Sequence, residues 1–393
     1  MTALPLGQRL SMTLRRTGTL AVLVLALFFT ARGQDQDQPL LTTETSPLLP
    51  PTALSSDDFN RINASAHGLA GEKAPADMGA APWESTPEWS DYQQWLDSRW
   101  TYLDSVRLAP MRLWSNAALT VLRAKSHTIF YPFSGPDALY AETLFPDSKV
   151  LLMAGLEPVG TMPDLEKLQQ DGKLGPYLDE LKTSLYTILT ASFFKTKDMK
   201  TDFNNQLMDG LMPAIIVFLA REGYPINGIQ YVVLDHDGAL HPRGEGSGAP
   251  GVQITYGDGR TLLYFQADLG NDGLKNNPGF VRLMHRFAPG ITYLKAASYL
   301  LYENYFSTIR DAILDESIGV VEDDSGIPLK DFNPAQWVVI PYGNYTGPID
   351  LFKDKFQPNL AQFYANTPHQ QLTFGSGYKF DANVSSLLVA SKR

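Results

Sequence analysis

The chain has 393 residues, 44% hydrophobic and 19% charged, with 31 Gly, 27 Pro and no Cys. Its 32 basic residues stand against 42 acidic ones, and a formal charge of −10 is the wrong sign for tracking phosphate backbones, which argues against a nucleic-acid partner. Without Cys there is no disulfide, zinc-thiolate or iron–sulfur site and no thiol nucleophile.

Residues 1–19 carry Arg9, Arg15 and Arg16 but no acid, and lead into the apolar run Leu20 to Phe29. That order reads as a secretory signal, because a helix needs about twenty apolar residues to span a bilayer and this run is about half as long. Ala31-Arg32-Gly33 places cleavage before Gln34, so residues 1–33 are expected to leave an exported product, periplasmic or secreted, with no stable membrane span. Thr17 and Gly18 after Arg15-Arg16 favour ordinary secretion over twin-arginine export. Residues 34–82 are rich in Pro, Ser, Thr and Ala and show neither helical nor strand periodicity. They are expected to form a disordered linker, with no role for His67.

The body is expected over 83–393. Trp89, Tyr92, Trp95, Leu96, Trp100, Leu103 and Val106 recur at helical spacing, a stripe better explained by packing than by a sugar platform. Further helices are predicted over 176–194, 201–221 with Gly223 as left-handed cap, and 298–314. Strands are predicted over 128–133, 149–154, 229–234, 291–294 and 318–321, with a hairpin 252–265 turning at Gly257-Asp258-Gly259-Arg260. The alternation implies an α/β fold: a mainly parallel sheet with flanking helices and an inserted β-hairpin. The Gly-rich segment 238–251 marks a seam between halves 83–237 and 252–393, or a flap. Strand–Ser134–helix–strand–Glu157 and strand–Ser298–helix–strand–Glu322 echo one another, as two related βαβ units or by chance.

Three constellations could carry chemistry. The turn Ser134-Gly135-Pro136-Asp137 after a strand, with Glu157 ending the next, resembles the opening unit of class I methyltransferases and other Rossmann-like proteins. The resemblance implies Ser134 and Gly135 as the ligand loop and Glu157 as ribose acceptor. The competing reading makes Asp137 a helix cap behind Pro136. Second, the apolar strand before Asp235-His236-Asp237-Gly238 resembles the first motif of haloacid-dehalogenase-type phosphohydrolases. This implies Asp235 as nucleophile and magnesium ligand, Asp237 as general acid and Lys295 as the lysine. A variant gathers Asp235, His236, Asp237, His241 and Glu245 around a divalent metal, and the plain alternative is an Asp-closed turn. Third, Glu322-Asp323-Asp324 ends an apolar strand before Ser325-Gly326-Ile327-Pro328, placing three acids on the rim where open α/β sheets bind ligands, with Lys295 in reach to pair with one.

The strings F-Y-P-F-S-G-P-D, L-K-A-A-S-Y-L and E-D-D-S-G-I-P, together with Trp337, Tyr342 to Tyr345 and F-G-S-G-Y at 374–378, resemble an uncharacterised family of predicted exported bacterial proteins over about 88–380. This resemblance implies export and one integrated fold. The residues point to a non-catalytic ligand-binding or interaction role toward a small molecule or envelope component. The ligand site is expected at Ser134, Gly135, Asp137, Glu157, Glu322, Asp323 and Asp324, with cofactor and oligomeric state open. The alternatives are a metal-dependent phosphohydrolase using Asp235 and Asp237, and a diverged Rossmann-type ligand domain.

Overall fold

The computed structural model describes residues 46–193 and 207–393. The expected signal peptide and the first part of the linker lie outside them. From Ser46 to Arg393 the chain forms one compact unit, with no division at the Gly-rich segment.

Ten strands make one sheet: β1 Thr128–Tyr131, β2 Val150–Gly155, β3 Ile226–Leu234, β4 Leu240–Pro242, β5 Ala249–Tyr256, β6 Arg260–Gln266, β7 Gly290–Leu294, β8 Ser317–Glu322, β9 Trp337–Gly343 and β10 Ser386–Lys392. Their order is β4-β3-β5-β6-β2-β1-β7-β8-β10-β9. The α/β class stands, but the sheet is mixed where a mainly parallel one was expected. Four pairings are parallel and five antiparallel. The hairpin is the reason on one side: it does not sit apart from the sheet but extends it, since β6 pairs parallel with β2 while β5 turns back and recruits β3 and β4. On the other side β10 returns antiparallel between β8 and β9.

The central strands are buried on both faces, as parallel strands flanked by helices must be. Side chains alternate between two cores: Ile129, Tyr131, Leu151 and Met153 enter one, Phe130, Leu152 and Ala154 the other. The first core is closed by α1 Ser56–Leu69, α2 Pro87–Leu103, α3 Ala109–Ala118, α4 Thr120–Arg123, α5 Ala138–Leu144, α6 Leu165–Gln170, α7 Leu174–Ala191 and α8 Met212–Arg221. The second is closed by α9 Asn271–Asn276, α10 Gly279–Phe287 and α11 Ser307–Glu316. A last helix, α12 Pro358–Asn366, packs beside β10. The aromatic stripe proves to be packing: Trp89, Tyr92, Leu96 and Leu103 are buried. A π-turn over Asp104–Leu108 breaks the period, and Val106 emerges.

Residues 46–82, expected as linker, belong to the folded unit. Helix α1 escaped notice because it is held by groups that leave no apolar period. Asn63 bonds both the N–H and the C=O of Ile226, at 2.8 and 2.9 Å. Trp89 Nε1 and Tyr92 OH donate to the carbonyls of Gly68 and Leu69. Upstream, the Gln253 amide grips the backbone N–H and C=O of Leu49 at 3.1 and 2.9 Å.

At the amino edge, Arg260 Nη2 lies 2.5 Å from Glu142 Oε2 with both side chains almost sealed from water, and its guanidinium also bonds Ser148 Oγ and its carbonyl. Removing one member of such a pair strands the other. Arg260→Ala is therefore expected to lower unfolding free energy by about 3–5 kcal/mol in a denaturant titration. A cost near that of a surface substitution would show that water reaches Glu142.

Candidate functional site at the carboxyl edge

Strands β1, β2, β6, β7 and β8 run the same way, so the loops that follow them share one edge. The order turns at β1, with β2 on one side and β7 on the other, the position where doubly wound sheets leave a ligand crevice. The structure brings Ser134, Gly135 and Asp137, Glu157, Lys295, and Glu322, Asp323 and Asp324 to this edge, because each follows one of these strands.

The crevice is filled by the chain itself. Lys295 Nζ lies 2.7 Å from Asp137 Oδ2, the two side chains 2% and 3% exposed. The ammonium sits 3.5 Å from the centre of the Tyr140 ring and donates to the carbonyl of Ser192. Tyr131 OH donates to Asp137 Oδ2 at 2.6 Å, while Asp137 Oδ1 caps α5 through the N–H of Tyr140. Burial pushes the Asp137 carboxyl up and the Lys295 ammonium down, and their mutual attraction opposes both shifts. Lys295 thus pairs with Asp137, not with the acids that follow β8.

The backbone is strained in the same place. Among the described residues the non-glycine positions with left-handed φ are Phe133, Ser192, Ala296, Ser298 and Tyr299. Phe133, Ala296, Ser298 and Tyr299 flank the switch point, and Ser192 supplies the carbonyl that meets Lys295. Such conformations cost about 1–3 kcal/mol each and persist only where surroundings enforce them. Here Asp323 Oδ2 accepts the N–H of Ala296 at 2.8 Å, Ser325 Oγ that of Ala297 at 2.8 Å, and Tyr378 OH contacts the Ala296 carbonyl and Ser298 Oγ. Gly377 makes this closure possible: at φ +67°, a Cβ there would fall 1.7 Å from Asp323 Oδ2.

The turn after β1 uses the N–H groups of Ser134, Asp137 and Ala138 within the chain. Ser134 and Asp137 donate their N–H groups to the carbonyls of Ala154 and Ser134, and Ala138 to that of Pro136. The Ser134 hydroxyl faces the carbonyls of Gly135 and Ala154. Glu157 is 4% exposed, its carbonyl bonded by Tyr264 OH at 2.9 Å. Glu322 is wholly buried; Oε2 accepts the N–H of Ile327 at 2.7 Å and Oε1 has no hydrogen-bond partner. Asp323 Oδ1 takes the N–H and hydroxyl of Ser325, and Asp324 Oδ2 takes Tyr299 OH at 2.7 Å.

The Asp235 constellation does not assemble with these groups. Asp235 ends β3, five strand steps from β7, or about 24 Å at roughly 4.8 Å per step. Lys295 therefore cannot serve it. Asp235 Oδ1 accepts the N–H groups of Asp237 and Ala239, Oδ2 meets His241 Nε2 at 2.7 Å, and Asp237 pairs with Arg282. Partial burial raises the Asp235 carboxyl, but these hydrogen bonds outweigh it and hold it below the usual range. This is the Asp-closed turn. No group of three or more metal-ligating side chains occurs among the described residues, so the cluster of Asp235, His236, Asp237, His241 and Glu245 is not formed.

Sequence reasoning missed Tyr131, Tyr140, Ser192, Ser325 and Gly377. Part of the signal was present, since the strings at 130–137, 294–300, 322–328 and 374–378, distant in sequence, meet at this edge. Also missed was an open cleft of about 340 Å³ beyond β8, lined by Tyr302, Glu303, Lys330, Asp354, Lys355 and Phe356 among others. Its wall is tied to the acid turn: Tyr302 OH donates to the Asp324 carbonyl at 2.8 Å and accepts from Gln357 Nε2, while Gln357 Oε1 accepts from Leu329.

No protein-family model, no curated protein and no solved structure matches the chain.

Lys295→Met would leave Asp137 a buried carboxyl without its counter-charge, at an expected cost of about 3–5 kcal/mol in unfolding free energy. Adding Asp137→Asn is expected to recover part of that loss. A double variant that loses the full sum of both single costs would show that the two side chains act independently.

Proposed function

We propose that this protein is an exported, non-catalytic ligand-binding protein of the cell envelope, whose ligand occupies the cleft beside β8 and not the crevice at the switch point. The supporting observation is the filled crevice: its acid and its lysine are spent on one another, and among the described residues the side chains of Ser134, Asp137, Glu157 and Lys295 are buried. The cleft has the size of small-molecule sites, which run from about 300 Å³ upward. Aromatic Tyr302 and Phe356 offer flat apolar surface. Lys330, Glu303 and Asp354 offer charges of both signs, and Lys355 is bridged to both acids. A small polar ligand carrying both an anionic and a donor group fits that lining. Export accords with the basic, then apolar N-terminus, and no helix among the described residues is long and apolar enough to cross a membrane.

A second reading is favoured by topology. The run β6-β2-β1-β7-β8 follows the 3-2-1-4-5 order of a doubly wound sheet. The antiparallel β10 inserted before β9 resembles the closing strands of class I methyltransferases. That reading puts an adenosine-containing ligand against Ser134, Gly135 and Glu157.

Thermal-shift screening against amino acids, sugars and small dicarboxylates is expected to yield a stabilising compound whose effect is lost in Tyr302→Ala and retained in Glu157→Gln. Isothermal titration with S-adenosylmethionine, adenosine and NAD is expected to be silent. Heat of binding that disappears in Glu157→Gln would replace the first reading with the second. Phosphatase activity with magnesium that depends on Asp235 would overturn both.

A further inference from the structure

Three successive carboxyls close β8, and the described residues supply them with little positive charge. Among these residues Glu322 has no cation in contact. Its surroundings are Asp323, Asp324 and Asp331, the last paired with Arg310 at 3.6 Å. Asp323 faces Lys295 from the loop after β7, but that ammonium already belongs to Asp137. Asp324 faces Asp323, the hydroxyl of Tyr299 and, more distantly, Lys379, which is shared with Asp350. Tyr302, Tyr345, Tyr364 and Tyr378 close the surroundings from the neighbouring loops and α12. Gly326 packs against Glu322 so closely that a Cβ would lie 2.3 Å from Oε2, so the turn is closed tightly over the Glu322 carboxyl.

We propose that the turn Glu322 to Gly326 is a proton-operated latch on the cleft: closed while its carboxyls carry protons, and loosened when they ionise. The mechanical link starts at Asp324, whose carboxylate accepts from Tyr299 OH and whose carbonyl accepts from Tyr302 OH, and runs on from Tyr302 to Gln357 and Leu329. An ionised Glu322 would place an unpaired charge in the core, and that charge is relieved only by opening the turn to water. Opening displaces Asp324, and with it the tyrosine that forms the cleft wall.

The direction of the pH response follows from burial. Desolvation, reinforced by the neighbouring acids, pushes Asp324 up to about 7 and Glu322 well above its usual value. A carboxyl raised in the folded state stabilises the fold fully below its unfolded value of about 4, and that contribution is lost as pH rises through the folded value. Asp137 and Asp323 are shifted in the same sense, while Lys295, shifted down, acts in the opposite one. The latch is thus shut in acid and loosened above neutrality.

The functional consequence rests on the cleft being the ligand site, but the latch is tested without a ligand. Hydrogen exchange of the full chain is compared at pH 5 and pH 8, after correction for intrinsic rates. Protection over 296–306 and 322–330 is expected to fall at least tenfold at the higher pH, while 226–234 in β3 is unchanged. Glu322→Gln is expected to abolish most of that fall. Should Glu322→Gln not fold, Asp324→Asn carries the test with a smaller expected reduction. Equal protection at both pH values in the wild type, or an undiminished fall in the folded variant, would overturn the latch. That failure leaves the cleft's ligand role standing, and a failed ligand screen leaves the latch standing.

Discussion

An ammonium and a carboxylate held 2.7 Å apart almost without water must have every remaining polar valence met by the chain, and the carboxyl edge of this sheet is arranged around that requirement. Lys295 reaches Asp137 across the one gap where strand order reverses, so the pair joins the loops after β1 and β7 that would otherwise diverge. Its third partner, the Ser192 carbonyl, draws in the end of α7, and Ser192 Oγ in turn bonds the Gly377 carbonyl at 2.8 Å. Four distant segments are thereby fixed to one point. Ser192 and Ala296 are the local expression of this closure, since both are left-handed and turn a backbone group toward the cluster at a conformational cost that isolated loops would not sustain.

The charges of the edge are unequal, and that inequality separates two kinds of behaviour. Asp137 has a full counter-charge and is expected to stay in place across ordinary pH. Among the described residues Glu322 contacts no cation and Asp324 has only the more distant Lys379, so their environment favours the neutral acid and makes their surroundings responsive to protons. Asp137 follows β1 and the acids close β8, with β7 between them, and the responsive side is the one bonded to the open cleft. Rigidity at the switch point and compliance beside β8 therefore follow from which carboxyl receives the buried ammonium.

Much of the central architecture was legible because it obeys simple periods. The strands at 128–133, 149–154 and 318–321 are short apolar runs, the hairpin at 257–260 has its Gly-Asp-Gly turn, and Gly223 does take a left-handed φ. The α/β class followed from alternation of these elements. What failed had no periodic trace. Helix α1 is fastened by Asn63 and by carbonyls that Trp89 and Tyr92 seek out, and a hydrophobic pattern does not register an amide. Strands β9 and β10 were missed because Pro341 interrupts one and the other ends the chain among Ser and Lys. Residues 298–306, expected to be helical, form short 3₁₀ turns because Ser298 and Tyr299 are left-handed, with Ser298 bonded by Tyr378 and Tyr299 by Asp324. The approach of Glu157, Asp137 and the acid turn to one edge was readable from strand ends. That they would be buried and mutually occupied was not, since it depends on Gly377 and Tyr378 arriving from the far end of the chain.

The sheet's own margins bear on how such a protein meets a partner. Edge strand β9 exposes Val338 and Ile340, yet its outward hydrogen-bonding positions are largely spent. The N–H of Gly343 donates to Gln370 at 2.8 Å, Pro341 has none, and that of Trp337 donates to Asn333 at 2.9 Å, which leaves Val339 to offer an outward donor. The opposite edge, β4, is three residues long and ends in Pro242. Both margins are blunted against added strands. Recognition through sheet extension is therefore disfavoured, and the loops after β7 and β8, where aromatic surface and charge meet water, carry the features a ligand requires.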